Sequence, residues 1–330
     1  MMPTIEDRFG RRVRNLRISV TDRCNFRCLY CMPEEGLAWL PDGSVLTFDE
    51  IERFVRIGLS VGIDKVRLTG GEPTLRPRLN ELVARLVALP GLKDLSLTTN
   101  GFRLADQAES LAAAGLRRIN VSLDSLVKER FYQLTRRDAL DRVHEGLRVA
   151  AKVFPGDLKV NVVVMRGIND VEILPFAEMA RDRGWVVRFI EFMPLDADQS
   201  WQRAQVMPGA EILERIREHF PLRRVVDQDL SQPARDWEFE DGRGRIGFIN
   251  SVSEPFCGSC DRVRLTADGK LRTCLFSTSE TDFLELLRNG SSDEAIVERL
   301  RDTVLHKEAG HGINDPDFEP ASRSMSQIGG

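Results

Sequence analysis

The six cysteines of this 330-residue chain fall in two triplets, with none outside them. The first is packed into "CNFRCLYC", residues 24–31, as Cys24-x3-Cys28-x2-Cys31. The second is Cys257-x2-Cys260-x13-Cys274, in "CGSC" and "RTCLF". Such grouping favours metal binding over disulfides or scattered core thiols. Three thiolates can hold three irons of a 4Fe–4S cluster and leave the fourth iron open to a small molecule. A structural zinc ion would want a fourth Cys or His. The histidines are His144, His219, His306 and His311, and none is near the first triplet in sequence. For the second triplet, spacing alone leaves a zinc knuckle short of one ligand and an auxiliary iron–sulfur cluster equally open.

A second set of residues suits anions. Arg262 and Arg264 alternate in "DRVRL" and would share one face of a strand. Guanidinium offers a rigid fork of donors for phosphate oxygens. Arg17, Arg67 and Lys159 also fall in strand-like runs. Each alone would read as a solvated face. Together, long cations that are costly to bury without an anion suggest a polyphosphate pocket. "GGEP" at 70–73 has glycines where backbone could approach a ligand closely, although alone it would read as a turn.

The elements that must position these groups alternate. Apolar, β-branched runs predict strands at 16–20, 65–69, 94–99, 118–123, 158–164 and 186–192. Amphipathic stretches predict helices between them: one from the capping-box pair Thr47 and Glu50 to about 62, and others at about 76–89, 103–114, 138–153 and 172–184. This rhythm predicts an α/β fold with a parallel sheet. Six units are too few for a closed eight-stranded barrel, so the expectation is a partial (β/α)6 TIM-like barrel with its chemistry at the C-terminal strand ends. "TDRC", "GGEP", "NG", "DS", "RGIND" and "MP" fall there.

The rhythm changes near residue 195, which predicts a barrel at 1–195 and a C-terminal region at 196–330. The latter should hold a helix at about 210–219, hairpins at 237–250 and 262–274, helices at about 281–289 and 292–307, and an irregular tail.

Composition narrows the class. Charged residues make up 30% with both signs interspersed, and the net charge is −4. That argues against a dedicated nucleic-acid binder. "MMPTIEDRFGRR" has no apolar core of a secretory signal, and no apolar run nears the roughly 18 residues of a membrane span. The expectation is a soluble, cytoplasmic protein.

Cys-x3-Cys-x2-Cys after a first strand, with Tyr30 before the last cysteine and "GGEP" after the second strand, resembles the radical S-adenosylmethionine superfamily. The whole chain resembles the GTP 3′,8-cyclase family of molybdenum cofactor biosynthesis. The matching stretches are "LRISVTDRCNFRCLYCMP", "VRLTGGEP", "LTTNG", "INVSLDSL", "KVNVVVMRGIND", "RFIEFMP", "FCGSCDRVRLTADGKLRTCLF" and the terminal Gly329-Gly330. The resemblance implies that Cys24, Cys28 and Cys31 hold a 4Fe–4S cluster that cleaves S-adenosylmethionine. Tyr30, Gly71, Ser122 and Met193 would contact that cosubstrate. Arg17, Arg67, Thr98, Lys159, Arg262, Val263 and Arg264 would bind GTP. Cys257, Cys260 and Cys274 would hold a second 4Fe–4S cluster whose open iron meets the guanine, and the di-glycine tail would reach the active site. It further implies an external electron donor, a homodimer, and a downstream cyclic pyranopterin monophosphate synthase that receives the product. Two other readings stay open: a peptide-modifying radical maturase, and a non-catalytic zinc or iron–sulfur protein.

Overall fold

The computed structural model describes residues 4–156, 158–195, 200–321 and 323–329. Six strands come first: β1 (Asn15–Ser19), β2 (Lys65–Thr69), β3 (Asp94–Thr99), β4 (Arg118–Ser122), β5 (Leu158–Val164) and β6 (Val186–Glu191). The helices between them are α1 (Phe48–Ser60), α2 (Leu79–Val87), α3 (Leu104–Ala113), α4 (Lys128–Thr135) and α5 (Leu140–Val153), and α6 (Ile173–Arg183) follows after β5. The first helix starts as its sequence requires, with the Thr47 side chain and Glu50 forming a reciprocal cap. The second starts later than expected. Pro73–Leu75 form a separate 3-10 turn and Arg78 is left-handed, so the helix begins only at Leu79.

The rest of the chain contributes α7 (Gly209–Arg217), β7 (Leu222–Arg224), β8 (Arg235–Phe239), β9 (Arg245–Ile249), β10 (Arg262–Leu265), β11 (Lys270–Arg272), β12 (Thr281–Asp282), α8 (Leu284–Arg288), α9 (Asp293–Leu305) and α10 (Met325–Ile328). The tail expected to be irregular therefore ends in a helical turn, because Ser324 and Gln327 cap each other reciprocally.

All strands share one sheet, in the order β12-β11-β10-β1-β2-β3-β4-β5-β6-β9-β8-β7. β10 adds in parallel beside β1, and β9 adds in parallel beside β6. The C-terminal region thus lengthens the parallel core at both ends. β12 and β7 are free edges, so the result is an open, partial barrel. Alternation sorts its faces. Leu16, Ile18, Val66 and Leu68 are buried in the apolar core against helices, while Asn15, Arg17, Lys65, Arg67 and Thr69 line the cavity on the other face. The C-terminal helices close over the first one: Phe54 meets Phe283 edge to face at 5.3 Å, and Arg53 pairs with Asp293 at 2.9 Å.

Candidate active site

The first cysteine loop leaves the end of β1 and is held from two sides. Gly71 N–H donates to the Thr21 carbonyl and Glu72 N–H to that of Arg23, each at 2.8 Å. A Cβ on Gly71 would lie 2.4 Å from the Asp22 carbonyl oxygen and 2.5 Å from that of Arg23. Glycine is required there by close approach to backbone that cannot yield. From the other side, Arg27 and Leu29 N–H donate to Thr135 and Leu134 carbonyls at the end of α4. The Glu72 carboxylate accepts from Thr74, Thr99 and Asn100, which ties this loop to the end of β3.

The three thiols line one cavity of about 360 Å³. Burial and the Glu72 charge push Cys24 up to about 11. Cys28 is driven up by burial and by both other thiols, and Cys31 by burial and Cys24. The sulfurs are thus near enough to oppose one another's ionisation, yet among the described residues no three such groups are placed to hold a single metal ion, so the thiols suit separate irons of a cluster instead. Beside them, the Tyr30 hydroxyl donates to the Asp124 carboxylate, which also accepts from Val163 N–H at 2.8 Å. Burial raises Asp124 to about 6. Gly71, Ser122 and Met193 line the same cavity.

Across the cavity runs a row of cations. Strand register places Arg264 opposite Arg17, and Arg17 opposite Arg67. The next row down is Arg262, Asn15 and Lys65. Neighbouring parallel strands are about 4.8 Å apart, so these side chains crowd one another. Burial and Arg262 lower Arg17 to about 10, and burial with Arg17 and Arg188 drives Arg67 well down. Arg264 is driven down by burial, Arg17 and Arg262. Among the described residues neither Arg17, Arg67 nor Lys159 forms an ion pair. Like charges held together on one wall, offset only in part by Asp261 and Asp94, suit a polyanion.

The second triplet lies on the same cavity. Cys257 opens a 3-10 turn, Cys260 precedes β10 and Cys274 follows β11. Burial would raise Cys260, but Arg262 and Lys307 outweigh it and bring the thiol down to about 7. Arg11 donates to the Cys257 carbonyl at 2.8 Å. All six cysteines are free thiols. Each triplet offers three soft donors to one interior space, which fits an iron–sulfur cluster with an open iron.

The tertiary structure therefore gathers Cys24, Cys28, Tyr30, Cys31, Gly71, Ser122, Met193, Arg17, Arg67, Thr98, Arg262, Arg264, Cys257, Cys260 and Cys274 around one cavity. Lys159 is not in its lining, but its ammonium lies close enough to Arg188 and Arg118 to feel both charges, and burial with Arg188 lowers it to about 7. Val263 is fully buried with its side chain in the core, which leaves only its backbone for a ligand. Gly329 enters the site and its carbonyl accepts from Arg264 Nη1. Gly330 lies outside the described residues. The sequence reading missed Arg188 and Arg118. Arg188 is 5% exposed, in the middle of the apolar run "VVRFIE". A cation inside such a run was the available signal.

A family model described as "Radical SAM superfamily" matches residues 18–180, and one described as "Molybdenum Cofactor Synthesis C" matches residues 185–313. Among solved structures, Streptococcus suis SuiB bound to S-adenosylmethionine aligns with a TM-score of 0.58 at 17% identity, over 88% of this chain and 68% of that chain. That likeness is one of fold. The open α/β barrel with its first cysteine loop is that of a radical S-adenosylmethionine protein. Proteins named GTP 3′,8-cyclase match nearly end to end. The one from Streptomyces coelicolor is 48% identical over 98% of this chain and 96% of its own length, and that from Rhodopirellula baltica is 45% identical over 98% and 91%. The chain belongs to the GTP 3′,8-cyclase family.

Proposed function

We propose that this chain converts GTP to 3′,8-cyclo-7,8-dihydro-GTP, the first step of molybdenum cofactor biosynthesis. The observation that carries the reading is the in-register row Arg264, Arg17 and Arg67 on the same cavity as both thiol triplets. The cluster that Cys24, Cys28 and Cys31 would hold, together with S-adenosylmethionine, would supply the 5′-deoxyadenosyl radical that takes hydrogen from ribose C3′; C3′ then bonds to C8 of the guanine, and one electron and one proton complete the dihydro product.

The residues of the chain bind and orient. Arg17, Arg67, Arg262 and Arg264 hold the triphosphate, with Thr98, Lys159 and the Val263 backbone beside them. That binding energy is remote from the reacting carbons, so it can fix the ribose in place. Backbone at Tyr30, Gly71, Ser122 and Met193 holds the methionyl and adenosyl parts of the cosubstrate. Cys257, Cys260 and Cys274 hold a second cluster that receives the guanine. The cavity walls exclude water from the reacting carbons.

The chain works as two regions of one sheet: 1–195, the partial barrel that holds the cosubstrate and lends Arg17, Arg67, Thr98 and Lys159 to GTP, and 196–330, which carries the second cluster, Arg262 and Arg264 for GTP, and the di-glycine tail. Its partners are an external electron donor, a second copy of itself in a homodimer, and a downstream cyclic pyranopterin monophosphate synthase. It acts in the cytoplasm; no described helix is long and apolar enough to cross a membrane.

The test is anaerobic incubation of iron-reconstituted protein with reductant, S-adenosylmethionine and GTP deuterated at C3′. Deuterium in 5′-deoxyadenosine supports the reading. Unlabelled 5′-deoxyadenosine removes GTP C3′ as the target, and none at all from protein with both clusters removes the radical reaction.

A further inference from the structure

Behind the second triplet lies a cation that the proposed reaction leaves without a role. Lys307 follows α9 and is only 2% exposed. Its ammonium donates to the Arg262 carbonyl at 3.0 Å and to the Thr273 carbonyl. Those carbonyls sit two residues after Cys260 and one before Cys274, so the ammonium joins the segments that carry both thiols. Among the described residues Lys307 forms no ion pair. The adjacent Glu308 carboxylate turns to the Thr273 hydroxyl at 2.6 Å instead.

Arg11 makes the contrast. It too is buried against this site, where it donates to the carbonyls of Cys257 and Ala309 at 2.8 and 2.9 Å and to that of Glu308. But Asp7 lies 2.5 Å from its Nε and neutralises it. Lys307 has no such acid, and a buried ammonium requires a counter-charge. The Cys257, Cys260 and Cys274 sulfurs all lie within reach of its field. The first triplet has mixed surroundings: the Glu72 charge acts on Cys24 against those of Arg27 and Arg137, and the Asp124 charge acts on Cys28 and Cys31.

We propose that Lys307 is a positioning residue that raises the reduction potential of a cluster held by Cys257, Cys260 and Cys274, through an uncompensated positive charge fixed behind it. The inference rests on the reading that this triplet holds an iron–sulfur cluster. A cluster held by three thiolates is anionic, and one-electron reduction adds a further negative charge. A fixed cation in a dry setting stabilises the reduced form more than the oxidised one. The acids around the first triplet act in the other direction.

The test is a dithionite titration followed by electron paramagnetic resonance. It uses the full chain carrying Cys24→Ser, Cys28→Ser and Cys31→Ser, so that only the second cluster reports. Lys307→Met should lower the midpoint by at least the equivalent of tenfold in the one-electron reduction constant, about 59 mV. Lys307→Arg should keep it near the parent value. Glu308→Gln, which removes the acid near Cys274, should raise it. The charge-conserving pair Asp7→Asn with Arg11→Gln should move it far less than Lys307→Met. An unshifted midpoint in iron-loaded Lys307→Met overturns the inference while leaving the cluster in place. Should Lys307→Met fail to retain iron, an unshifted Glu308→Gln overturns it. A parent protein that binds no iron–sulfur cluster at this triplet overturns the underlying reading itself.

Discussion

Arg264 and Arg17 stand opposite one another on adjacent parallel strands, and the only hydrogen bond from the Arg264 guanidinium among the described residues goes to the Gly329 carbonyl. Two guanidinium groups side by side without an acid repel each other, and a triphosphate would relieve that repulsion. Arg264→Ala should therefore weaken GTP binding tenfold to a hundredfold, from the loss of a charge-assisted bond of about 1.5–3 kcal/mol. Its iron content should stay unchanged and its ligand-free melting temperature should not fall. Calorimetry, iron analysis and thermal melts check the three statements; loss of iron would remove Arg264 from the GTP site.

The same crowding gives a pH dependence. Burial and the Arg188 and Arg118 charges lower Lys159 from 10.5 to about 7 in the folded chain. Between those values the unfolded chain binds the extra proton, so this residue makes the ligand-free protein more stable as pH rises from about 7 towards 10. GTP should restore the proton. At pH 8, binding titrations in buffers of different ionisation enthalpy should show proton uptake, and Lys159→Gln should abolish most of it.

Gly71 and Gly258 separate close approach from open space. A Cβ on Gly71 meets the Asp22 and Arg23 carbonyls, whereas one on Gly258 meets nothing within 4 Å. Gly71→Ala should push the first cysteine loop outward and reduce both S-adenosylmethionine binding and iron retained by that triplet. Gly258→Ala, inside the second triplet, should keep its iron. Equal iron in the two variants would count against the packing argument.

The two triplets are carried by different loops, with the first tied to α4 and β3 and the second to Arg11 and Lys307. Each should load independently. Cys28→Ser and Cys260→Ser should each lose about half of the iron, and only Cys28→Ser should abolish reductive cleavage of S-adenosylmethionine. Metal analysis and measurement of 5′-deoxyadenosine test this, and loss of all iron from Cys260→Ser would show that the sites are not independent.

Much of the molecule is written locally. The cysteine spacings, the capping pair Thr47 and Glu50, and the alternation of Arg262 with Arg264 each lie within a few residues, and local periodicity encodes such features directly. The same holds for the six β/α units, whose strands put apolar residues on the face that helices cover and polar ones on the face that lines the cavity. The α10 turn also had a readable signal, in the spacing of Ser324 and Gln327, whereas helix α4 follows Val127 without a side-chain cap and the sequence reading missed it.

What the sequence by itself determined, then, was two three-thiolate sites, a parallel α/β scaffold and a supply of arginines in strands. Only the tertiary structure decided that β10 pairs with β1 and β9 with β6. No spacing rule specifies a pairing between strands so far apart in the chain, because it depends on which edges remain open after the other strands have packed. That pairing converts Arg264, Arg17 and Arg67 from three separate strand residues into one row, puts Arg188 at the same wall, and sets Lys307 behind the second triplet with no ion pair among the described residues. Charge repulsion and burial, which give those residues their chemistry, exist only once the chain has brought them together.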